Sequence, residues 1–304
     1  MEENEKRIVI KNLRKKSDAG DKIIEATFSM KYVLDYIEVS NEKIKKNDFI
    51  DCDFNAAQFK SVEFCDCTFQ KIVFSDARFI GTNILKSYFE KCIFNDTAFI
   101  LKENKITEII SSTFANCSFS NLVLDYTLFK NCKFINCKIK NTDFNGSRFE
   151  DVVFKGKISD SFFRAKIKHL PIYSLFAKLS GKVINSDLLL NKMANVDFVD
   201  CELDGNSFCD GIDLSNCKFP NSERYLFVKD VTRTYTDAFN YINDNWIGED
   251  LRLAKIVFEN ILMSKYKGEN QINDFIDFDI ITANINGNFS RKFKEVLERP
   301  NSLM

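Results

Sequence analysis

The chain has 304 residues, and its 43 Lys and Arg side chains nearly balance its 44 Asp and Glu side chains. This balance excludes the strongly basic composition of a dedicated nucleic-acid-binding protein, so we expect a protein partner and no nucleic acid. No apolar stretch reaches the length of a membrane span or resembles the core of a secretory signal peptide, so we expect a soluble fold without a membrane span or a cleavable signal.

The N-terminal region has two parts. Residues 1–22 are highly charged and lack a regular apolar pattern, which predicts a flexible leader. Four apolar residues then fall in the five-residue frame of the segment that follows: Ile24, Leu34, Val39 and Ile44. We predict a degenerate N-terminal cap over residues 23–48, because stacked-repeat folds need atypical ends that shield their edges.

From Phe49 to Phe154 an apolar residue stands at every fifth position except Asn104. Of these 22 positions, 17 are Phe and four are Ile or Leu. Five residues turn an α-helix by about 500°, which would scatter the rings around it, and a straight strand would send them alternately to two faces. A chain that bends after every five residues sends each ring into one interior, which predicts a right-handed quadrilateral β-helix. The predicted structural ladder includes Phe54, Phe59, Phe64, Phe69, Phe74, Phe79, Phe114, Phe119, Phe129, Phe134, Phe144 and Phe149.

Small side chains occupy most of the positions two residues before each ladder residue, as a narrow tube requires beside large rings. Eight of the ten Cys stand there: Cys52, Cys67, Cys92, Cys117, Cys132, Cys137, Cys201 and Cys217. Small buried thiols explain them better than zinc, since the Cys spacing is wrong and His169 is the only His. Ten thiols without a disulfide framework favour a reducing compartment. We expect a cytoplasmic location, or delivery into a host cell by a route that needs no cleavable secretory signal peptide.

The repeat frame is interrupted twice. It weakens over residues 101–113 without losing phase, which predicts a bulged coil, and it breaks after Phe154. Pro171 and Gly181 bracket an apolar stretch typical of a short helix. We therefore predict a helical insertion over about residues 156–182, which either packs on the flank of the rod or serves as a docking element.

Repeats resume from Val183 to Phe219, so the β-helix is predicted over residues 23–219. We expect roughly eight coils and a rod on the order of 40 Å long. The candidate partner-binding residues come from the insertion and from the later repeats: Tyr173, Phe176, Lys178, Lys133 and Lys138.

Beyond Pro220 the five-residue signal gives way to helical spacing. One apolar stripe runs from Phe227 to Trp246 and another from Leu251 to Leu262. Two shorter helices are predicted near residues 270–283 and 289–299. We predict a small α-helical C-terminal domain over residues 221–304, able to cover the open end of the tube.

The sequence shows no reactive constellation. It has a single His, no Gly-rich phosphate loop and no pair of carboxylates distinguishable from a solvated face. We therefore predict no enzyme activity, no catalytic residues, no cofactor and no metal. Asp and Asn at the repeat corners are interpreted as turn formers, namely Asp66, Asp76, Asn131, Asn136 and Asn141.

Repeats such as Asp51-Cys52-Asp53-Phe54-Asn55 and Asn131-Cys132-Lys133-Phe134-Ile135 resemble the pentapeptide-repeat family. The quinolone-resistance members of that family protect type II topoisomerases as anionic mimics of duplex DNA, which gives one functional hypothesis. Between Phe49 and Phe154, however, there are 13 acidic and 12 basic residues, which is not a polyanion.

The layout of a β-helix followed by helices also resembles the substrate-binding part of the HECT-like ubiquitin ligases that pathogenic bacteria inject into host cells. No Cys follows Cys217, so the catalytic lobe of that family has no counterpart here. This resemblance implies a recognition scaffold alone. Our leading hypothesis is a non-catalytic interaction scaffold, acting as an effector or adaptor that presents a rigid β-helix surface to a host protein. The alternative is protection of a type II topoisomerase.

Overall fold

The computed structural model describes residues 23–24, 37–102, 105–124, 126–165, 191, 193–263, 271–283, 285 and 287–301. The predicted leader and the residues expected to form the inserted helix lie outside this described part.

Short parallel strands, stacked rung on rung, form the long body of the molecule. The first strands are β1 (Ile23–Ile24), β2 (Glu38–Ser40), β3 (Lys43–Lys45), β4 (Asp48–Ile50), β5 (Gln58–Lys60), β6 (Glu63–Cys65), β7 (Thr68–Gln70), β8 (Arg78–Ile80) and β9 (Asn83–Leu85). The middle strands are β10 (Tyr88–Glu90), β11 (Ile93–Asn95), β12 (Ala98–Ile100), β13 (Glu108–Ile110), β14 (Thr113–Ala115), β15 (Ser118–Ser120), β16 (Val123–Leu124), β17 (Leu128–Lys130) and β18 (Lys133–Lys140). The last are β19 (Asp143–Phe144), β20 (Arg148–Ser159), β21 (Phe162–Arg164), β22 (Met193–Asp197), β23 (Cys201–Asp204), β24 (Ser207–Cys209) and β25 (Cys217–Lys218).

One side of the rod consists of eight strands in the order β2-β5-β8-β12-β16-β19-β21-β24, one from each coil. Equivalent residues of successive coils are paired in register, as Phe49 is with Phe69. The quadrilateral β-helix predicted from the five-residue period is therefore confirmed.

The chain turns each corner through a residue in the left-handed region of backbone space. These corner residues recur every five positions with φ near +50°, and Asp66, Asp76, Asn131, Asn136 and Asn141 are among them. Asn and Asp adopt this conformation more readily than most residues because their short polar side chains can bond locally. Several corners nevertheless carry Lys, including Lys71, Lys86 and Lys91.

The aromatic rings form continuous stacks inside the tube. In one column Phe89, Phe114 and Phe134 stack with centroids 4.7 and 4.9 Å apart. Rings of adjacent sides meet edge to face, as Phe114 and Phe119 do at 5.6 Å. Offset stacks and edge contacts are the favoured aromatic geometries, so each ring is held by contacts above, below and beside it.

The inward Cys side chains act as small apolar groups. All ten cysteines are free. Burial raises the pKa of Cys67 and Cys132 to about 11, so both remain protonated near neutral pH. The Cys132 thiol donates to the carbonyl of Ile109 at 3.1 Å, which satisfies its one weak donor.

The bulged coil is a five-residue loop that leaves the ladder in register. Phe99 pairs with Leu124, which is 25 residues away instead of the usual 20. The backbones of Lys102 and Lys105 bond to each other across the base of the loop at 3.1 and 2.8 Å. Because exactly one repeat length is extruded, every later ring still points inward.

The ladder continues past Phe154, although its five-residue frame shifts there by one residue, and the insertion boundary predicted at residue 156 is wrong. Strands β20 and β21 continue through it, with Ile158 and Phe163 buried in the ladder. One residue is missing from the coil at Gly156, where the pairing changes from Phe134↔Phe154 to Cys137↔Gly156. The later repeats read out of phase because of this deletion.

The C-terminal unit combines helices with a two-stranded antiparallel sheet. Strands β26 (Tyr225–Val228) and β27 (Asp274–Asp277) pair with each other. The helices are α1 (Val231–Asn245), α2 (Gly248–Val257) with a π-helical extension over Phe258–Leu262, α3 (Phe278–Ile281) and α4 (Gly287–Asn301). A helix across residues 270–283 is therefore a wrong prediction over β27. The α-helices expected in the C-terminal unit are present, and a two-stranded sheet accompanies them. Phe227 lies in β26 instead of on α1.

This unit packs directly on the last coil. The ring of Phe275 stacks on Phe219 at 4.3 Å and so extends the internal aromatic column. The side chain of Asn273 accepts from the backbone N–H of Leu214 at 2.8 Å, and that of Gln271 accepts from Gly211 at 3.0 Å. Side-chain amides thus satisfy backbone groups that a terminal coil would otherwise leave without partners.

Arg224 makes the main ionic contact between the two parts. Its guanidinium donates to Asp277 at 2.6 Å and to Asp204 of the rod at 2.7 Å. These bonds raise the pKa of Arg224, with Asp277 contributing most. The pKa of Asp204 is lowered, mainly by its bond from Lys157 and next by that from Arg224.

Candidate partner-binding face

Three exposed lysines of strand β18 form the surface that we call the lysine face: Lys133, Lys138 and Lys140. Phe134 and Ile139 point inward, so the residues that flank them point outward by the alternation of a strand. Lys133 lies on one side of the coil, and Lys138 and Lys140 lie on the next side. The two predicted lysines, Lys133 and Lys138, therefore lie on adjacent sides of one coil, on either side of the corner at Asn136.

Polar side chains surround Lys138 and Lys140 on the neighbouring rungs. In register, Lys138 lies between Ser118 and Lys157, and Lys140 lies between Ser120 and Ser159. The corner before Lys138 is Asn136, and the corner after Lys140 is Asn141, which donates to Asn121 at 2.6 Å. This side is therefore flat, hydroxyl-rich and cationic.

Elsewhere on the rod, charges of opposite sign pair across the rungs. Lys60 contacts Glu38 at 2.7 Å, and Lys130 contacts Glu150 at 2.9 Å. The pKa of Glu150 is lowered chiefly by its hydrogen bond from Lys130. In the part of the chain that the structure describes, no carboxylate lies within 4.0 Å of the ammonium groups of the lysine face. Its three positive charges are therefore available to a partner.

The predicted residues Tyr173, Phe176 and Lys178 lie outside the described residues, so their role stays a prediction. The sequence pattern did not single out Lys140 or Lys157. Counting one position to either side of each ladder residue would have selected Lys140. Lys157 could not be placed in this way because the deletion at Gly156 shifts its frame by one residue.

A separate cleft opens where the rod meets the C-terminal unit. Its lining includes Cys217, Phe219, Pro220, Leu226 and Phe227, and its volume is about 300 Å³. Burial raises the pKa of Cys217 to about 12, so this thiol is a poor nucleophile near neutral pH. The cleft offers apolar contact area and no activated group among these residues.

Over the described ranges, no group of three or more His, Cys, Asp or Glu side chains could hold a metal ion. None of the helices in that part of the chain is long and apolar enough to span a membrane.

Comparisons with known proteins identify the repeats. The family model described as pentapeptide repeats matches eight copies, over residues 57–96 and 112–151. A trypsin-treated variant of QnrB1, a plasmid-mediated fluoroquinolone resistance protein, is 16% identical, with 66% of this chain and 83% of that chain covered and a TM-score of 0.31. HetL, a pentapeptide-repeat protein involved in heterocyst differentiation regulation in the cyanobacterium Nostoc, is 9% identical, with 70% and 97% covered and a TM-score of 0.29. The comparison with curated proteins gave no match.

Proposed function

We propose that this pentapeptide-repeat protein is a non-catalytic scaffold that binds a partner protein through its lysine face. The observation that carries this proposal is the clustering, on one coil, of three lysines that have no carboxylate within 4.0 Å among the described residues: Lys133, Lys138 and Lys140. Other lysines of the rod, such as Lys60, Lys130 and Lys155, are paired with carboxylates. A partner with an acidic surface would neutralise them, and such complementarity favours both specificity and fast association.

The construction of the rod suits a binding scaffold. Backbone groups bond from rung to rung, as Asn116 N–H does to the carbonyl of Ile135 at 2.8 Å. A partner on a side of the rod therefore meets only side chains, whose Cα positions the coil fixes. Little backbone conformational entropy is lost when such a preorganised surface binds.

The finer proposal is that the partner is a host protein and that the chain acts as an effector or adaptor. It is supported by the layout of a β-helix followed by a unit rich in helices, which resembles the substrate-binding part of the bacterial HECT-like ligase effectors. A partner captured only from a host lysate would support this proposal, and one captured only from a bacterial lysate would contradict it.

Protection of a type II topoisomerase by mimicry of DNA is the alternative, and it has less support. Mimicry needs a continuous anionic surface, whereas acidic side chains of this rod pair with lysines on adjacent rungs, as Glu63 does with Lys43 and Asp200 with Lys155. Relief of quinolone inhibition in a gyrase supercoiling assay would favour the alternative, and unchanged supercoiling would exclude it for gyrase.

The test of the scaffold proposal is affinity capture with charge-reversed protein. We expect the double variant Lys133→Glu/Lys138→Glu to lose a partner that the unchanged chain retains. The matched control is Lys45→Glu/Lys86→Glu, which reverses two exposed lysines elsewhere on the rod. Thermal unfolding should show that both variants remain folded. Equal recovery of every partner by the two variants would exclude the lysine face as the binding surface.

A further inference from the structure

Lys138 and Lys140 form a regular charge pattern on one side of the rod. They flank the buried Ile139 at alternate positions of a strand, so their Cα atoms are about 6.6–6.8 Å apart. Lys157 lies on the next rung, in register with Lys138, at about 4.8 Å between strands. Three ammonium groups thus come from two adjacent rungs.

The chain itself shows which acidic pattern fits such a lysine. On the rung beyond Lys157, strand β23 carries Glu202 and Asp204 on either side of the buried Leu203. Both carboxylates contact the ammonium of Lys157, at 2.8 and 3.0 Å. Carboxylates at alternate positions of one extended strand therefore converge on a lysine of its neighbour.

Among the described residues, no carboxylate lies within 4.0 Å of the ammonium groups of Lys138 and Lys140. The rung on their other side carries Ser118 and Ser120, which are uncharged, and Ser120 donates to Asn95 at 2.7 Å. Like charges directly opposite each other on adjacent strands destabilise a sheet, and Lys138 lies opposite Lys157. Lys157 offsets this cost through its ion pairs with Glu202 and Asp204. A bound anion would offset it for Lys138 and Lys140.

The surroundings favour a peptide over a nucleic acid as that anion. The outward positions next to the two lysines hold Ser, Asn and Lys, so the patch has no aromatic side chain on which a base could stack. An extended peptide repeats its side chains on one face at the same spacing as the two lysines, and extended layers pack face to face about 10 Å apart. Side chains from both layers can meet across that gap.

We infer that Lys138 and Lys140 bind an extended acidic segment of the partner protein, in which Asp or Glu residues alternate with uncharged ones. This inference rests on the proposed scaffold function and specifies the chemistry of its partner. The segment lies across the rod with its carboxylates directed at the two ammonium groups, in the pattern that Glu202 and Asp204 present to Lys157.

The test is fluorescence anisotropy with two labelled octapeptides of identical composition. In one, Glu and Thr alternate; in the other, the four Glu precede the four Thr. We expect the alternating peptide to bind about tenfold more tightly than the block peptide, and to lose about tenfold in affinity with Lys138→Gln/Lys140→Gln. The control Lys45→Gln/Lys86→Gln should bind as the unchanged chain does. Affinity should fall as salt is raised.

Three results would overturn the inference: equal binding of the two peptides, retention of binding by Lys138→Gln/Lys140→Gln, or tighter binding of a single-stranded oligouridine of equal charge. The proposed scaffold function has a separate readout. If charge reversal of Lys133 and Lys138 abolishes capture of a partner while neither peptide binds, the scaffold stands and the alternating acidic segment is wrong. If the charge-reversed variant captures the partner as well as the unchanged chain does, the scaffold proposal is wrong whatever the peptides show.

Discussion

Gly156 lets two rungs approach at the point where the coil loses one residue, and its replacement is the sharpest test of this fold. Its φ of +123° is rare for any residue with a side chain. An added Cβ would lie 2.3 Å from the carbonyl oxygen and 2.8 Å from the nitrogen of Cys137. Both atoms are backbone, so no side chain can move aside.

The positive φ and the close contact with Cys137 both contribute to the loss of stability in Gly156→Ala. Backbone strain contributes about 1–3 kcal/mol, and forcing the rungs apart contributes about 1–3 kcal/mol more. We therefore expect the free energy of unfolding to fall by about 4 kcal/mol. The change should appear in denaturant titrations followed by far-ultraviolet circular dichroism.

Gly248→Ala is the matched control. Gly248 also has a positive φ, of +62°, but an added Cβ there would meet no atom within 4 Å. Only the left-handed conformation is penalised, so the expected loss is about 1–2 kcal/mol. Equal destabilisation by the two substitutions would show that the close contact with Cys137 does not constrain the rungs, and the reasoning would be refuted.

Four further outcomes are expected. Phe114→Ala should cost about 3–5 kcal/mol in denaturant titrations, because the ring is fully buried in its stack. Lys86→Asn should raise the melting temperature, with a gain of about 0.5–1 kcal/mol, since Asn suits the left-handed corner better than Lys. Arg224→Ala should cost about 2 kcal/mol and raise hydrogen exchange in β27, because it leaves the buried carboxylate of Asp277 without its guanidinium. The pKa of Asp204 is lowered from its ordinary value of 3.8. Its ion pairs therefore stabilise the fold above that pH, and this stabilisation is lost as the pH falls through the lower pKa of the folded state. Asp204→Asn should consequently make the free energy of unfolding decline less steeply below about pH 4.

The rod could be predicted from the sequence because its information is local and repeated. Each pentapeptide contains an inward ring, a compact inward neighbour and a corner residue. The inward orientation of Phe54 or Phe119 can therefore be predicted from the neighbouring residues alone. The bulged coil within residues 101–113 was predictable for the same reason, since its five extra residues leave the phase unchanged.

The C-terminal unit was less predictable because its decisive contacts are distant in sequence. Strand β27 forms by pairing with β26, which lies about 50 residues earlier, and four consecutive buried residues, Asp274–Asp277, show neither strand alternation nor helical spacing. Its Phe275 enters the aromatic column only after the two units pack. The lysines proposed to bind the partner were partly predictable. Outward positions can be counted from the sequence, whereas the lack of a carboxylate near Lys138 among the described residues depends on which residues occupy the adjacent rungs.

The two large irregularities of the rod share an arithmetic property. One coil has five extra residues, and another, from Phe163 to Phe208, spans 45 residues where most span 20, an excess of 25. Both excesses are whole multiples of five, so the position of a residue within the five-residue frame still determines whether its side chain faces inward. Insertions of five residues, or of multiples of five, therefore leave the frame of the later repeats unchanged, whereas the single residue missing at Gly156 shifts it.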